Sequence, residues 1–301
     1  MTILVTGATG NIGKVVVEGL VGAGQRVRAM TRDPRAAAVW LPAGVEAVHG
    51  DFERPETWPA VLDGVERVYL FPFVDPAPVV GPGFIDTAVR AGVRRFVVHS
   101  SAAAGFDYQG DPEDASLSPL RRHLAEEREG HRAIESAVEA SGAEWTHIRP
   151  GLLAAGIDWA ESVRTTGTVR EPYPHAGSAL VHEADVAEVA VAALLTDDHL
   201  HTSPTLTGPR KVSQIDQVHA ISDAIGREVA FVELTPEQAR DEWYDPEQGV
   251  DHAFIDWLLD QLADSVAGPG PVPANDTYER LTGRAPRSFA QWARDHAEDF
   301  R

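Results

Sequence analysis

The 301-residue sequence has no cysteine and only two lysines, Lys14 and Lys211. Without cysteine there is no disulfide, no thiolate nucleophile and no thiolate metal ligand. Lysine-based proton chemistry is confined to two positions. No run approaches the roughly eighteen apolar residues of a membrane-spanning helix. The N-terminus lacks the basic region, apolar stretch and small-residue cleavage site of a secretory signal, so the expected location is the cytoplasm. Basic residues are in deficit, 26 Lys and Arg against 46 Asp and Glu, a net charge of −20. Such a surface repels nucleic-acid phosphates and anionic lipids. Neither nucleic acid nor membrane is expected as a partner. Monomer and homodimer are both compatible with it.

What is present is an α/β rhythm. Residues 2–6 form a short apolar run rich in β-branched side chains, the pattern of a buried parallel strand. Further strands are expected at 26–30, 45–49, 65–71, 95–99 and 145–148, with a short one at 205–207. Helical spacing falls between them, as in Ile12, Val16 and Leu20. This alternation predicts a doubly wound parallel sheet, the Rossmann arrangement. After Pro150 the pattern loosens into a mainly helical lobe. Helix starts are read at Asp185, Ser213, Thr235, Asp251 and Ser288, each an N-capping residue type. The expected division is residues 1–150, with 181–209 returning to them, as the dinucleotide domain. Residues 151–180 and 210–301 form the substrate-binding lobe.

The sharpest motif is Thr6-Gly7-Ala8-Thr9-Gly10-Asn11-Ile12-Gly13, set between the first strand and first helix. Gly7 permits the tight turn, Gly10 lets the backbone approach a pyrophosphate, and Gly13 lets the helix pack against the sheet. Thr9, Asn11 and Ile12 complete the turn at a helix N-terminus, whose free N–H groups attract phosphate. The second strand ends in Met30-Thr31-Arg32-Asp33. An acid there binds the ribose of NAD; a cation binds the 2′-phosphate of NADP. Thr31 and Arg32 come first, which favours NADP(H), while Asp33 keeps NAD open. Asp51, followed by Phe52, is placed to accept from an adenine amino group or to cap a helix.

Thr6–Gly13, Gly50-Asp51, the Arg95–Ser101 strand, Trp145-Thr146-His147-Ile148-Arg149-Pro150, Val181-His182-Glu183-Ala184-Asp185-Val186-Ala187, Leu206-Thr207-Gly208-Pro209 and Leu281-Thr282-Gly283-Arg284 resemble the NmrA-like branch of the atypical short-chain dehydrogenase/reductases. The resemblance spans essentially the whole chain. It implies a bound dinucleotide lined by the segment matching Phe71-Pro72. It also implies either a reductase or a dinucleotide-binding regulator. Standard members of the superfamily carry Tyr-x-x-x-Lys after the fifth strand. Here none of the five tyrosines has lysine four residues on.

The helix in that place, bounded by Ser118-Pro119 and Gly142, carries Glu127 and His131 on the same stripe as Leu120, Leu124, Ile134 and Val138. This E-x-x-x-H pair resembles the positions of the missing motif. The candidate proton-handling residues are therefore Ser101 at the fifth strand's end, Tyr108 in the following loop, and His131. Three activities fit: reduction of a small apolar carbonyl, quinone or imine by NADPH; a non-catalytic redox sensor; and an isomerase or cyclase retaining NADP.

Overall fold

The first apolar run forms β1 (Thr2–Val5), buried at every residue. In the computed structural model the described residues are 1–74, 77–78, 82–106, 114 and 116–301, with backbone alone at 73, 74, 77, 78 and 82. The chain divides into two compact units. One comprises Met1–Phe106, Glu127–Pro150 and Glu183–Leu206; the other comprises Asp107–Glu126, Gly151–His182 and Thr207–Arg301.

In the first unit, α1 (Asn11–Gly22) follows β1 and leads to β2 (Arg26–Thr31), α2 (Pro34–Ala37) and β3 (Glu46–His49). Then come α3 (Trp58–Leu62), β4 (Arg67–Leu70), the short pair β5 (Phe73–Val74) and β6 (Ala77–Pro78), α4 (Pro82–Arg90) and β7 (Arg95–His99). The long α5 (Pro119–Ala140) precedes β8 (Glu144–Pro150). Among the second unit's elements, α6 (Ala160–Thr166), β9 (Thr168–Glu171) and β10 (Gly177–Ser178) intervene before the chain returns as α7 (Glu183–Leu195) and β11 (Thr205–Leu206).

The resulting seven-stranded sheet has the order β11-β8-β7-β4-β1-β2-β3, with every pairing parallel. This is the expected Rossmann architecture. Strand order reverses between β1 and β4, and in such sheets ligands bind at the carboxyl ends beside that reversal. One core cluster joins Leu4, Val68, Leu70, Phe84, Phe96, Val98, Ile134 and Val138. Thus Ile134 and Val138, two of the four apolar stripe positions of α5, pack in the core of the sheet. The returning helix starts at Glu183, two residues before the expected Asp185, and both acids are buried in its first turn. Carboxylates there meet the positive end of the helix dipole.

The second unit adds β12 (Val212–Ser213), α8 (Gln214–Ile225), β13 (Ala230–Glu233), α9 (Pro236–Trp243), α10 (His252–Ala267), α11 (Thr277–Thr282) and α12 (Phe289–Asp295). The four lobe starts at Ser213, Thr235, Asp251 and Ser288 are all N-caps whose side chains accept a backbone N–H. Its main core contains Trp159, Val163, Val169, Ile221, Phe289, Trp292 and Phe300. The parallel pair β9–β13 is not evident in the sequence, because neither strand is a buried apolar run: only Val169 of the eight residues is buried and both strands end in glutamate. Among the described residues, no helix is long and apolar enough to cross a membrane.

Candidate functional site

The glycine turn sits at the carboxyl end of β1. Gly7 adopts φ +60°, which glycine enters without steric cost. The Gly10 N–H donates to Gly7 O at 3.0 Å, closing the turn. Gly10 is the N-cap of α1 and has no side chain to cap it, so the first N–H groups of the helix remain available. Thr6 ties the turn to the neighbouring strand: its Oγ1 accepts the Phe71 N–H at 2.7 Å. Gly7, Thr9, Gly10 and Asn11 are exposed, whereas Ile12 and Gly13 are buried beneath them. A Cβ on Gly7 would come within 3.0 Å of Phe71. The result is a backbone-lined cradle with a positive helix end, and it fits a dinucleotide pyrophosphate. Phe71 and the buried Pro72 lie at the end of β4, beside the reversal point.

At the end of β2, Asp33 is already engaged. Its Oδ1 accepts the N–H groups of Arg35 at 3.0 Å and Ala36 at 3.1 Å, making it the N-cap of α2. Arg32 is exposed and has no ion pair among the described residues. Thr31 Oγ1 accepts the Asp33 N–H. His49, not singled out from the sequence, lies with Nδ1 3.1 Å from Arg32 O. Asp51 is half-buried; its Oδ1 accepts the Glu53 N–H and its carbonyl accepts the Trp58 indole N–H. Phe52 packs edge-on to Phe84 at 4.9 Å, on the rim of the core.

At the end of β7 the structure brings together residues from two elements. Ser101 Oγ donates to Glu127 Oε1 at 2.6 Å and accepts the Ala103 N–H at 3.2 Å. His131 is buried, with Nε2 3.8 Å from the same carboxylate oxygen. Burial, reinforced by the nearby Arg149 charge and partly offset by Glu135, pushes the His131 pKa down to about 4. His99, at the strand end, lies with Nδ1 2.9 Å from the Tyr69 hydroxyl. Burial and the neighbouring His131 lower its pKa to about 3, and burial raises that of Tyr69. Both imidazoles are therefore neutral at pH 7. Tyr108 lies outside the described residues.

Glu135 was missed in the sequence and is fully buried. It accepts from Ser100 at 2.7 Å, from Arg149 at 2.9 and 2.7 Å, and from Arg132 at 2.6 Å. Burial alone would raise its pKa, but the Arg149 and Ser100 hydrogen bonds win and hold it at about 2. The signal was the four-residue repeat Glu127, His131, Glu135, Glu139, which continues one stripe of α5. Glu135, Glu139 and the buried His147 bring ligand atoms within 4.8 Å of one another. Two guanidiniums already satisfy Glu135, so the charge there is balanced without a cation.

The model of the NAD(P)H-binding family matches residues 7–197, more than half of the chain. The chain belongs to that family. An NAD(P)H azoreductase of Xenophilus azovorans is 31% identical over 304 residues, covering 99% of each chain. The (4-alkanoyl-5-oxo-2,5-dihydrofuran-3-yl)methyl phosphate reductase of Streptomyces griseus is 34% identical over 302 residues, again 99% of each. Among solved structures, the Citrobacter triphenylmethane reductase complexed with NADP(H) has a TM-score of 0.72 at 20% identity, covering 99% of this chain and 100% of that one. An Escherichia coli NADPH-dependent quinone oxidoreductase complexed with NADPH gives 0.73 at 21% identity, covering 97% and 98%. At those identities the likeness is one of fold. NAD(P)(H) is the family's cofactor, and the NmrA-like resemblance read from the sequence agrees with this membership.

Proposed function

We propose that this family member is an NADPH-dependent reductase of a small apolar carbonyl, quinone or imine. The observation that carries it is full-length relatedness to two named reductases at 31% and 34% identity. The azo and furanone compounds in those names extend the acceptors worth testing. When bound, the nicotinamide supplies a hydride.

The chain's own residues would bind and orient. The 7–13 turn and the α1 N-terminus hold the pyrophosphate. Arg32, with Thr31, takes the 2′-phosphate, and a guanidinium grips phosphate with paired hydrogen bonds. Asp33 already commits its Oδ1 to the cap of α2, and the exposed Arg32 beside it supplies the cation, which together favour NADPH over NADH. Asp51 and Phe52 lie on the adenine side, Phe71 and Pro72 on the nicotinamide side. Ser101 and His131 handle the proton. The second unit carries exposed Tyr244 and Phe254, the latter edge-on to Trp257 at 5.6 Å, an apolar surface suited to such substrates. We place the cysteine-free protein in the cytoplasm, acting on a small molecule.

The test is a fluorescence titration with NADPH and NADH, followed by acceptor-dependent loss of reduced-nicotinamide absorbance. Tighter NADPH binding with oxidation by at least one quinone, azo compound, ketone or imine is expected. Binding without oxidation by any of them would transfer the site to a sensor or an isomerase.

A further inference from the structure

A backbone carbonyl can only accept a hydrogen bond. The 3.1 Å contact between His49 Nδ1 and Arg32 O therefore places a hydrogen on Nδ1, whatever the charge of the ring. That assignment leaves Nε2 for a ligand. On a singly protonated ring Nε2 carries a lone pair; on a doubly protonated ring it carries a hydrogen.

The ring stands where the adenosine ribose is expected. β2 and β3 run parallel, and His49 is the register partner of Thr31 at their shared carboxyl end. The Gly50 N–H donates to Thr31 O at 3.0 Å and fixes that last pair. His49 is exposed, and its bond to Arg32 O draws the ring across to the peptide that joins Arg32 to Asp33. Thr31 Oγ1 accepts the Asp33 N–H at 3.2 Å, which leaves the hydroxyl hydrogen to give. The acids around these strand ends already have partners. Asp33 Oδ1 accepts the Arg35 and Ala36 N–H groups, Asp51 Oδ1 accepts the Glu53 N–H, and Glu46 pairs with Arg28.

Resting on the placement of the 2′-phosphate at Arg32 above, we propose that His49 is a specificity-determining residue of the NADP(H) site. A 2′-phosphate held by Thr31 and Arg32 brings negative charge beside the ring, which favours the doubly protonated form. Nε2 takes a proton from solvent and donates it to a phosphate oxygen. With NADH the same nitrogen keeps its lone pair and accepts from the ribose 2′-hydroxyl, the task an acid performs in NAD sites. One side chain thus answers both cofactors. It answers the phosphate more strongly, because a charge-assisted hydrogen bond is about twice as strong as a neutral one.

The test compares the full-length wild-type protein with H49N and R32A by fluorescence titration. Asparagine keeps a donor for the Arg32 carbonyl and has no atom at the Nε2 position. H49N should weaken NADPH binding about tenfold or more, the loss of a hydrogen bond to a charged group. NADH binding should stay within about threefold, and Tm should not move, since the position is exposed. A second readout is independent of turnover. In mildly alkaline buffer, where an imidazole carries one N–H hydrogen, proton–nitrogen correlation spectra of the cofactor-free protein should find that hydrogen on Nδ1. Adenosine 2′,5′-bisphosphate should protonate Nε2 as well, and ADP should leave it bare. Wild-type NADPH affinity in H49N, equal losses for both cofactors, or the same Nε2 state with both nucleotides would overturn the proposal. If the wild-type protein binds NADPH no tighter than NADH and R32A changes nothing, the 2′-phosphate reading itself falls. An NADPH preference that R32A abolishes and H49N leaves intact removes His49 alone.

Discussion

A Cβ on Gly13 would stand 2.1 Å from the carbonyl oxygen of Gly7 and 2.8 Å from its carbonyl carbon. Both atoms are backbone, so no rotamer change relieves the clash. The variant G13A must either push α1 off the sheet or open the turn. Overpacking of this kind costs about 1–3 kcal/mol or more. A lowered Tm and at least tenfold weaker NADPH binding are expected, read by thermal unfolding and fluorescence titration. Unchanged binding would remove the turn from the cofactor site.

Arg32 and Asp33 are adjacent but differently employed. R32A should weaken NADPH binding by about 2 kcal/mol, a charge-assisted hydrogen-bond loss, and leave NADH nearly untouched. D33A removes a helix cap worth about 1 kcal/mol. It should lower Tm without a selective effect on NADH. A selective loss of NADH affinity in D33A would show that Asp33 reads the ribose after all.

Glu171 contributes a pH dependence in the second unit. Its carboxyl is half-buried and receives the Trp159 indole N–H at 2.9 Å. Burial outweighs that bond and raises its pKa from 4.5 to about 7. The folded state therefore holds the proton more tightly than the unfolded chain. Stability is highest below pH 4.5, falls as pH rises between 4.5 and 7, and stays low above that. The ceiling is about 3 kcal/mol. E171Q should flatten this slope in urea titrations across the same range. An identical slope in E171Q would locate the dependence elsewhere.

His99 and His131 act in the opposite direction in the first unit. Their lowered pKa values mean that the unfolded chain binds protons first as pH drops below 6.5. Stability contributed there is lost on acidification from 6.5 toward 4 and below. Hydrogen exchange resolved by segment should show residues of β7 losing protection in acid, while β9 gains it.

Arg95 is fully buried and donates to Glu144 at 2.8 Å, Asp197 at 2.5 Å, and the Ala193 and Thr196 carbonyls at 3.2 and 2.6 Å. It thereby caps the C-terminus of α7. R95A strands those carbonyls and opens a cavity, an expected loss of about 3 kcal/mol. Calorimetry checks the number, and R95K should recover only part of it.

The sheet was legible because each strand is a short apolar run punctuated by glycine, proline or charge, and burial on both faces demands that pattern. The four lobe caps were legible because capping is local: Ser213, Thr235, Asp251 and Ser288 reach only three residues ahead. The role of Asp33 was open in the sequence, although Asp-Pro at a helix start carries the cap signal that the structure resolves. Glu135 lay on a legible stripe of α5 but its partners did not, and Arg95 and Glu171 were not legible at all. Each buried charge or raised carboxyl depends on partners brought in by the fold, as when Arg95 meets Asp197 from 102 positions away. Of the candidate proton residues, His131 meets Glu127 at the i,i+4 spacing read on the helix, whereas the contact of Ser101 with Glu127 spans 26 positions and comes from the fold.

The first unit is stitched from three separate stretches of chain, the last ending at Leu206. Its edge strand β11 and the helix α7 both arrive in that final stretch. During synthesis from the N-terminus, the sheet thus stays one strand short until about two-thirds of the polypeptide has been made. Until then β8 lacks a partner on one side and exposes an unpaired, adhesive edge. A fragment ending at Pro150 would share that defect, so the first unit is not obtained whole as a contiguous piece. Truncation upstream of Thr205 leaves this edge open for pairing with another chain.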